Sequence, residues 1–110
     1  MALTKYQFVH TIKSYRQNFE LSFDEVKSCK NELERGLPFA CAAEFDFDGA
    51  LMVQDHRQEY SETRIVALGY LHQRLHVLVF KPMANGIRVI SLRKANQREI
   101  NRYTSQIATD

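Results

Sequence analysis

No apolar run in this 110-residue chain approaches the roughly 18 to 20 residues a helix needs to cross a bilayer, so a transmembrane helix is not expected. The opening MALTKYQFVHTIK is interrupted by Lys5, Gln7 and His10, which argues against a secretory signal. Cysteine is scarce. Cys29 and Cys41 cannot build a disulfide framework or, alone, a four-ligand zinc site, so a reduced, cytoplasmic setting is expected. Both are read as small buried hydrophobes rather than nucleophiles. The four glycines form no phosphate-cradling loop, and no Walker or G-x-S-x-G motif is present. His72 and His76 are four apart but flank a hairpin rather than lie on a helix, so no metal site is expected there; no cofactor is expected either. No repeat, low-complexity tract or Gly/Ser linker divides the chain, and its length suits one domain.

The composition is ordinary for a folded domain, 45% apolar and 25% charged, with a net charge of +2. The charge is unevenly spread. Residues 86 to 110 carry five basic side chains, four of them arginines, against two acidic ones; Glu20 to Asp55 holds nine acidic residues against three basic. A basic last quarter points to an anionic partner on one face, or to a merely solvated mixed surface.

Phe8, Ile12, Tyr15 and Phe19 lie at helical spacing, predicting a helix over about 4–17 within an N-terminal extension, residues 1–20. Leu21-Ser22-Phe23 suggests a short strand opening a second unit, residues 21–110. Asp24 caps a helix whose apolar positions include Val26, Cys29 and Leu33, and Gly36 suits its end. Pro38 opens a short helix through Phe39, Ala42 and Ala43, and a turn at Asp48-Gly49 shortens the following strand. Residues 64–70, 75–80 and 86–93 read as strands joined by hairpin-sized links, an antiparallel meander. Asn96 and Glu99 form a capping box before a helix with Ile100, Tyr103 and Ile107 on one side. The fold class expected is α+β, a mainly antiparallel sheet with helices packed on one face.

Two constellations carry chemistry. On a regular strand, Arg88 falls on the face of Ile90 and Leu92, and Arg93 on the opposite one. The two arginines share a site only if the strand bulges or one guanidinium reaches over an edge. Arg88 on an apolar face implies either a carboxylate partner or an anion pocket. The second constellation, Asp55 to Arg64, mixes acids, bases, His56 and Tyr60 without a large aliphatic residue, and is expected to be exposed. Cleavage of RNA without a metal needs a base for the 2′-OH, cations for the crowded phosphorane and an acid for the leaving 5′-oxygen. Glu62 or His56 suits the base; Arg64, Arg88 and Arg93 the charge; Tyr103 or His56 the acid. The bland alternative is a loop whose charges keep it soluble.

Residues 21–103 resemble the BrnT toxins of bacterial type II toxin–antitoxin systems. The likeness rests on an ordered set: Phe23-Asp24, Lys27, Asn31, Gly36, Phe39 and Ala42; then Asp55-x-Arg57, Glu62-x-Arg64 and Gly69; then Arg88-x-Ile90-Ser91-x-Arg93-x-Ala95, Glu99 and Tyr103. The resemblance implies a RelE-like fold of the RelE/ParE-like superfamily, ribonuclease activity that inhibits translation, and neutralisation by a BrnA-like antitoxin in a hetero-oligomer. The antitoxin's DNA-binding domain would repress the shared operon. Carried over, Arg64, Arg88 and Arg93, with Glu62, are the expected positions of the RNA-cleaving site. Tyr103 joins them as a catalytic candidate on its chemistry, and Arg35, His56, Arg57 and Arg98 are the expected RNA-binding positions, with RNA, free or on the ribosome, as substrate. The chain departs from the family pattern at Phe23, where a Trp is common, and at Glu34-Arg35, where Lys-His is common. Arg35 cannot act as a base, because its pKa exceeds about 12. A relative that binds its antitoxin as co-repressor or decoy without cleaving is the alternative, and a RelE-like fold also hosts toxins of other targets, such as gyrase.

Overall fold

The computed structural model describes residues 19–108. The predicted helix over 4–17 lies outside the described residues. The described chain runs β1 (Glu20–Ser22), α1 (Glu25–Arg35), a 3-10 helix (Phe39–Glu44), β2 (Leu51–Gln54), β3 (Ile65–Leu71), β4 (Arg74–Met83), β5 (Gly86–Lys94) and α2 (Gln97–Ala108). The five strands form one sheet in the order β1-β5-β4-β3-β2. β2 to β5 pair antiparallel and β1 joins the edge of β5 in parallel, through Glu20–Ser22 against Gly86–Arg88. The sheet is therefore mixed, antiparallel apart from its short edge strand. A β-carbon on Gly86 would collide with the Glu20 backbone carbonyl, so this parallel pairing needs glycine there.

The local signals explain the elements. Asp24 accepts from the backbone N–H groups of Val26 and Lys27 at 2.9 and 3.1 Å and starts α1. Gly36, in the left-handed region at φ 72°, ends it and returns its N–H to the Glu32 carbonyl. Pro38 precedes the 3-10 helix. Asn96 and Glu99 satisfy one another's backbone N–H groups at the start of α2.

Alternation along β3 and β4 gives the sheet two apolar faces. One buries Ile65, Ala67, Leu78, Phe80, Val89 and Leu92 beneath the 3-10 helix and Phe45 to Ala50. The other packs Leu68, Leu75, Val77 and Ala95 against Ile100 and Tyr103 of α2. The helices are thus divided between the two faces, not gathered on one. The sheet is apolar on both sides, so each face requires a cover.

Two further expectations fail at α1. Val26 and Leu33 are 78% and 88% exposed, and Cys29 is exposed, so the apolar stripe points to solvent. The helix turns Ser28 and Asn31 inward instead. Ser28 Oγ accepts from the Phe39 N–H at 2.9 Å, and Asn31 Nδ2 donates to the carbonyls of Leu37 and Leu92 at 2.7 and 2.9 Å. These bonds satisfy backbone groups where the chain turns off α1 and along the edge of β5, so polar side chains win the inner face. Cys41 is half-buried, and its thiol pKa is raised by burial.

Candidate functional site

The site is built on the face of the sheet that carries α2. The strand registers stack its side chains in rows. Val53, Val66, Val79 and Ser91 form one row across β2 to β5; Leu51, Leu68, Val77 and Arg93 form the next. On the other side of the valine row, Lys81 pairs with Arg88. Arg64, one residue before β3, extends that third row, and its guanidinium and the Lys81 ammonium both reach Glu62, at 3.8 and 3.3 Å. Ordinary strand rise separates successive rows by about 6 to 7 Å.

Arg88 and Arg93 can share this face because β5 bulges. Phe80 faces Val89 while Val79 faces Ser91, leaving Ile90 as an extra residue. The bulge reverses the alternation, so Arg88, Ser91 and Arg93 project from one side. The regular-strand expectation is corrected accordingly: Arg88 does not share a face with Leu92, which is fully buried beneath the opposite layer.

The valines floor an open groove of about 430 Å³, walled by Gln54, Asp55, His56 and Arg57 on one side and by Ser91, Arg93, Glu99 and Arg102 on another. The Asp55 to Arg64 segment is not freely solvated throughout. The Asp55 side chain is 2% exposed. It accepts from Arg57 Nε and Nη2 at 3.0 and 2.9 Å, from the Arg57 backbone N–H, and from the Tyr60 hydroxyl at 3.1 Å. Those bonds, the Arg57 guanidinium first, hold the Asp55 carboxyl well below the usual carboxylate range and raise the pKa of Arg57. Tyr60 in turn lies under the Arg64 guanidinium, 4.1 Å from its ring centre.

Arg93 makes a two-pronged bond to Glu99, 2.8 Å on each arm. Glu99 is the capping-box residue of α2, so one carboxylate both starts the helix and fixes the arginine. Arg93 holds the Glu99 pKa down to about 2. Arg88 and Arg102 make no ion pair among the described residues.

Sequence-predicted residues therefore divide. Arg93, His56 and Arg57 line the groove, and Glu62, Arg64 and Arg88 stand beside it on the same face. Tyr103 does not line it; its hydroxyl donates to the Gly49 carbonyl at 2.9 Å and its ring meets Tyr70 edge-on. Burial raises its pKa. Arg35 lies in a separate hollow between α1 and the edge of β5. Arg98 is exposed on α2, outside the groove lining. Sequence reading missed Lys81, Ser91 and Arg102. Lys81 follows from the two-residue link between β4 and β5, which sets it opposite Arg88; Arg102 lies one turn beyond Glu99 on α2.

No group of three or more metal-ligating side chains is assembled among the described residues. The arrangement can grip a phosphodiester with guanidinium groups above an apolar floor, with a histidine in the wall. Residues 23–99 match the family model of the ribonuclease toxin BrnT of type II toxin–antitoxin systems. No curated protein and no solved structure matches the chain.

Proposed function

The chain belongs to the BrnT ribonuclease toxins of type II toxin–antitoxin systems, and from that premise we propose that it is a metal-independent endoribonuclease that cleaves mRNA and thereby inhibits translation. The observation that carries this reading is the shared face of Arg64, Lys81, Arg88, Arg93 and Arg102 around the valine-floored groove. In the proposed reaction a 2′-oxygen attacks the adjacent phosphorus and gives its proton to Glu62. The bond from phosphorus to the 5′-oxygen breaks, and His56 protonates that oxygen. A 2′,3′-cyclic phosphate and a 5′-hydroxyl result. Arg88, Arg93 and Arg64 supply most of the rate by stabilising the extra charge on the phosphorane. The Tyr103 hydroxyl, bonded elsewhere, is dropped as the acid.

The antiparallel, hairpin-linked strands support a RelE-like assignment, and the family supports a partner antitoxin of the BrnA kind that assembles with the toxin. The test is purified protein with RNA in EDTA, with and without ribosomes. Cleavage with cyclic phosphate ends, lost in Arg88→Ala, is expected; intact RNA in both arms, while antitoxin still binds, refutes the enzyme. One observation favours the second reading, an antitoxin-binding co-repressor without catalysis: Arg93 and Arg57 are each spent on a carboxylate. Growth arrest on expression without antitoxin separates the two.

A further inference from the structure

The groove does not end at Ser91. β1 pairs with β5 only through Gly86–Arg88, so the edge of β5 beyond Arg88 has no strand beside it among the described residues. Ser91 lines the groove on one side of that edge and also a second hollow of about 230 Å³ on the other. Lys27, Lys30 and Arg35 of α1 border this hollow, and Ile90 lines it as well. Its single acidic border residue among the described residues, Glu34, is 4.0 Å from Lys30 in an exposed pair that neutralises little.

The hollow is more rigidly built than a solvated helix face. Asn31, 5% exposed, spends its amide nitrogen on the Leu37 and Leu92 carbonyls, which ties α1 to β5. Its Oδ1 then accepts from Arg35 Nη1 at 2.6 Å, which fixes the guanidinium over the hollow with its other N–H groups unspent among the described residues. A favourable C-terminal helix position accounts for a basic residue at 35, but not for its anchoring by a buried amide. The Ser91 hydroxyl makes no hydrogen bond among the described residues and stands where the two concavities meet.

We propose that the α1–β5 hollow is a second phosphate-binding subsite, which takes the backbone of a single-stranded RNA that leaves the groove across the open edge of β5 at Ser91. The proposal rests on the reading of the groove as an RNA site and adds where the flanking nucleotides go. Lys27, Lys30 and Arg35 contact phosphates on one side of the scissile bond, carry no base readout, and set the minimum length of a good substrate.

Binding of uncleavable, fully 2′-O-methylated oligoribonucleotides of about four and about ten nucleotides, by fluorescence anisotropy over a salt series, tests it. Each phosphate neutralised on a single strand contributes about 0.7 to the slope of log affinity against log salt. The Lys27→Ala/Lys30→Ala/Arg35→Ala variant is expected to bind the longer oligonucleotide at least about tenfold more weakly, with a slope shallower by about 2, and the shorter one as before. The double variant Lys27→Glu/Lys30→Glu, which keeps the Arg35–Asn31 bond, should show the same selective loss. Unchanged affinity and slope for the longer oligonucleotide in both variants overturn the subsite and leave the groove standing. Wild-type protein that binds the longer oligonucleotide no better than the shorter does the same. Failure of wild-type protein to bind either removes the groove reading itself, and the subsite with it.

Discussion

Arg88 and Arg93 project from the same face of β5, although five positions on a regular strand would set them on opposite faces; the extra residue Ile90 makes the difference. Their roles are nonetheless unequal. Arg88 is exposed with no ion pair among the described residues, whereas Arg93 is half-buried and clamped to Glu99. Arg88→Ala is expected to lower RNA cleavage by about 100-fold or more, as loss of a charge-stabilising donor does, and to move stability by less than about 0.5 kcal/mol. Arg93→Ala is expected to lower both cleavage and stability, the latter by about 1.5 to 3 kcal/mol, because it removes a charge-assisted bond and strands a carboxylate. Cleavage assays beside urea unfolding check the pair.

The Glu99 clamp makes stability depend on acid. Its folded pKa is about 2 against an ordinary 4.5, owing first to the bonds from Arg93. A depressed carboxylate contributes stability above its ordinary pKa and loses it as pH falls toward the folded one. That window runs from about 4.5 down to about 2. Glu99→Gln keeps an acceptor for the cap but not the charge. It is expected to cost about 1.5 to 3 kcal/mol near neutral pH, to flatten the fall in stability between pH 4.5 and 2, and to converge with wild type below that range. Chemical denaturation at stepped pH reads the difference.

Tyr103 separates structure from chemistry. Its hydroxyl bonds the Gly49 carbonyl at the turn before β2, and its ring covers the apolar layer under α2. Tyr103→Phe is expected to lose about 1 kcal/mol of stability and to leave the cleavage rate within about twofold of wild type. A loss of 100-fold or more, with stability kept, would restore it as the acid.

The turn between β3 and β4 stores strain. His72 and Gln73 both hold positive φ, 51° and 65°, in a two-residue hairpin link that favours an asparagine followed by a glycine. The double exchange His72→Asn/Gln73→Gly is expected to stabilise the fold by about 0.5 to 1.5 kcal/mol. The exposed His72–Glu44 contact at 2.7 Å, lost in the exchange, offsets little of that gain. Thermal melting of the double variant measures it.

How far the sequence could be read follows from the range of the interactions. Asp24, Gly36, the Asn96–Glu99 box and the strand alternation of β3 and β4 act within a few residues, and those elements form where they were expected. The bulge at Ile90 has no local signal, since it exists only in the pairing of β5 with β4. The second use of Glu99, as the partner of Arg93, likewise depends on how α2 returns over the sheet. Charge and resemblance named Arg64, Arg88 and Arg93, but only the sheet register shows that they share a face.

The inward face of α1 illustrates the same limit and gives a test of it. Helical periodicity favours Leu33 for burial, yet Leu33 is 88% exposed, while Asn31 is 5% exposed with partners as distant as Leu92. Leu33→Ser is therefore expected to change stability by less than about 0.5 kcal/mol. Asn31→Leu, a gain in apolarity, is expected to cost about 2 to 4 kcal/mol, because two carbonyls lose their donor where water does not reach freely. It also releases Arg35, which Asn31 Oδ1 holds at 2.6 Å. Urea unfolding of both variants decides the matter: a larger loss from Leu33→Ser than from Asn31→Leu would mean that α1 is rotated about its axis from the orientation described.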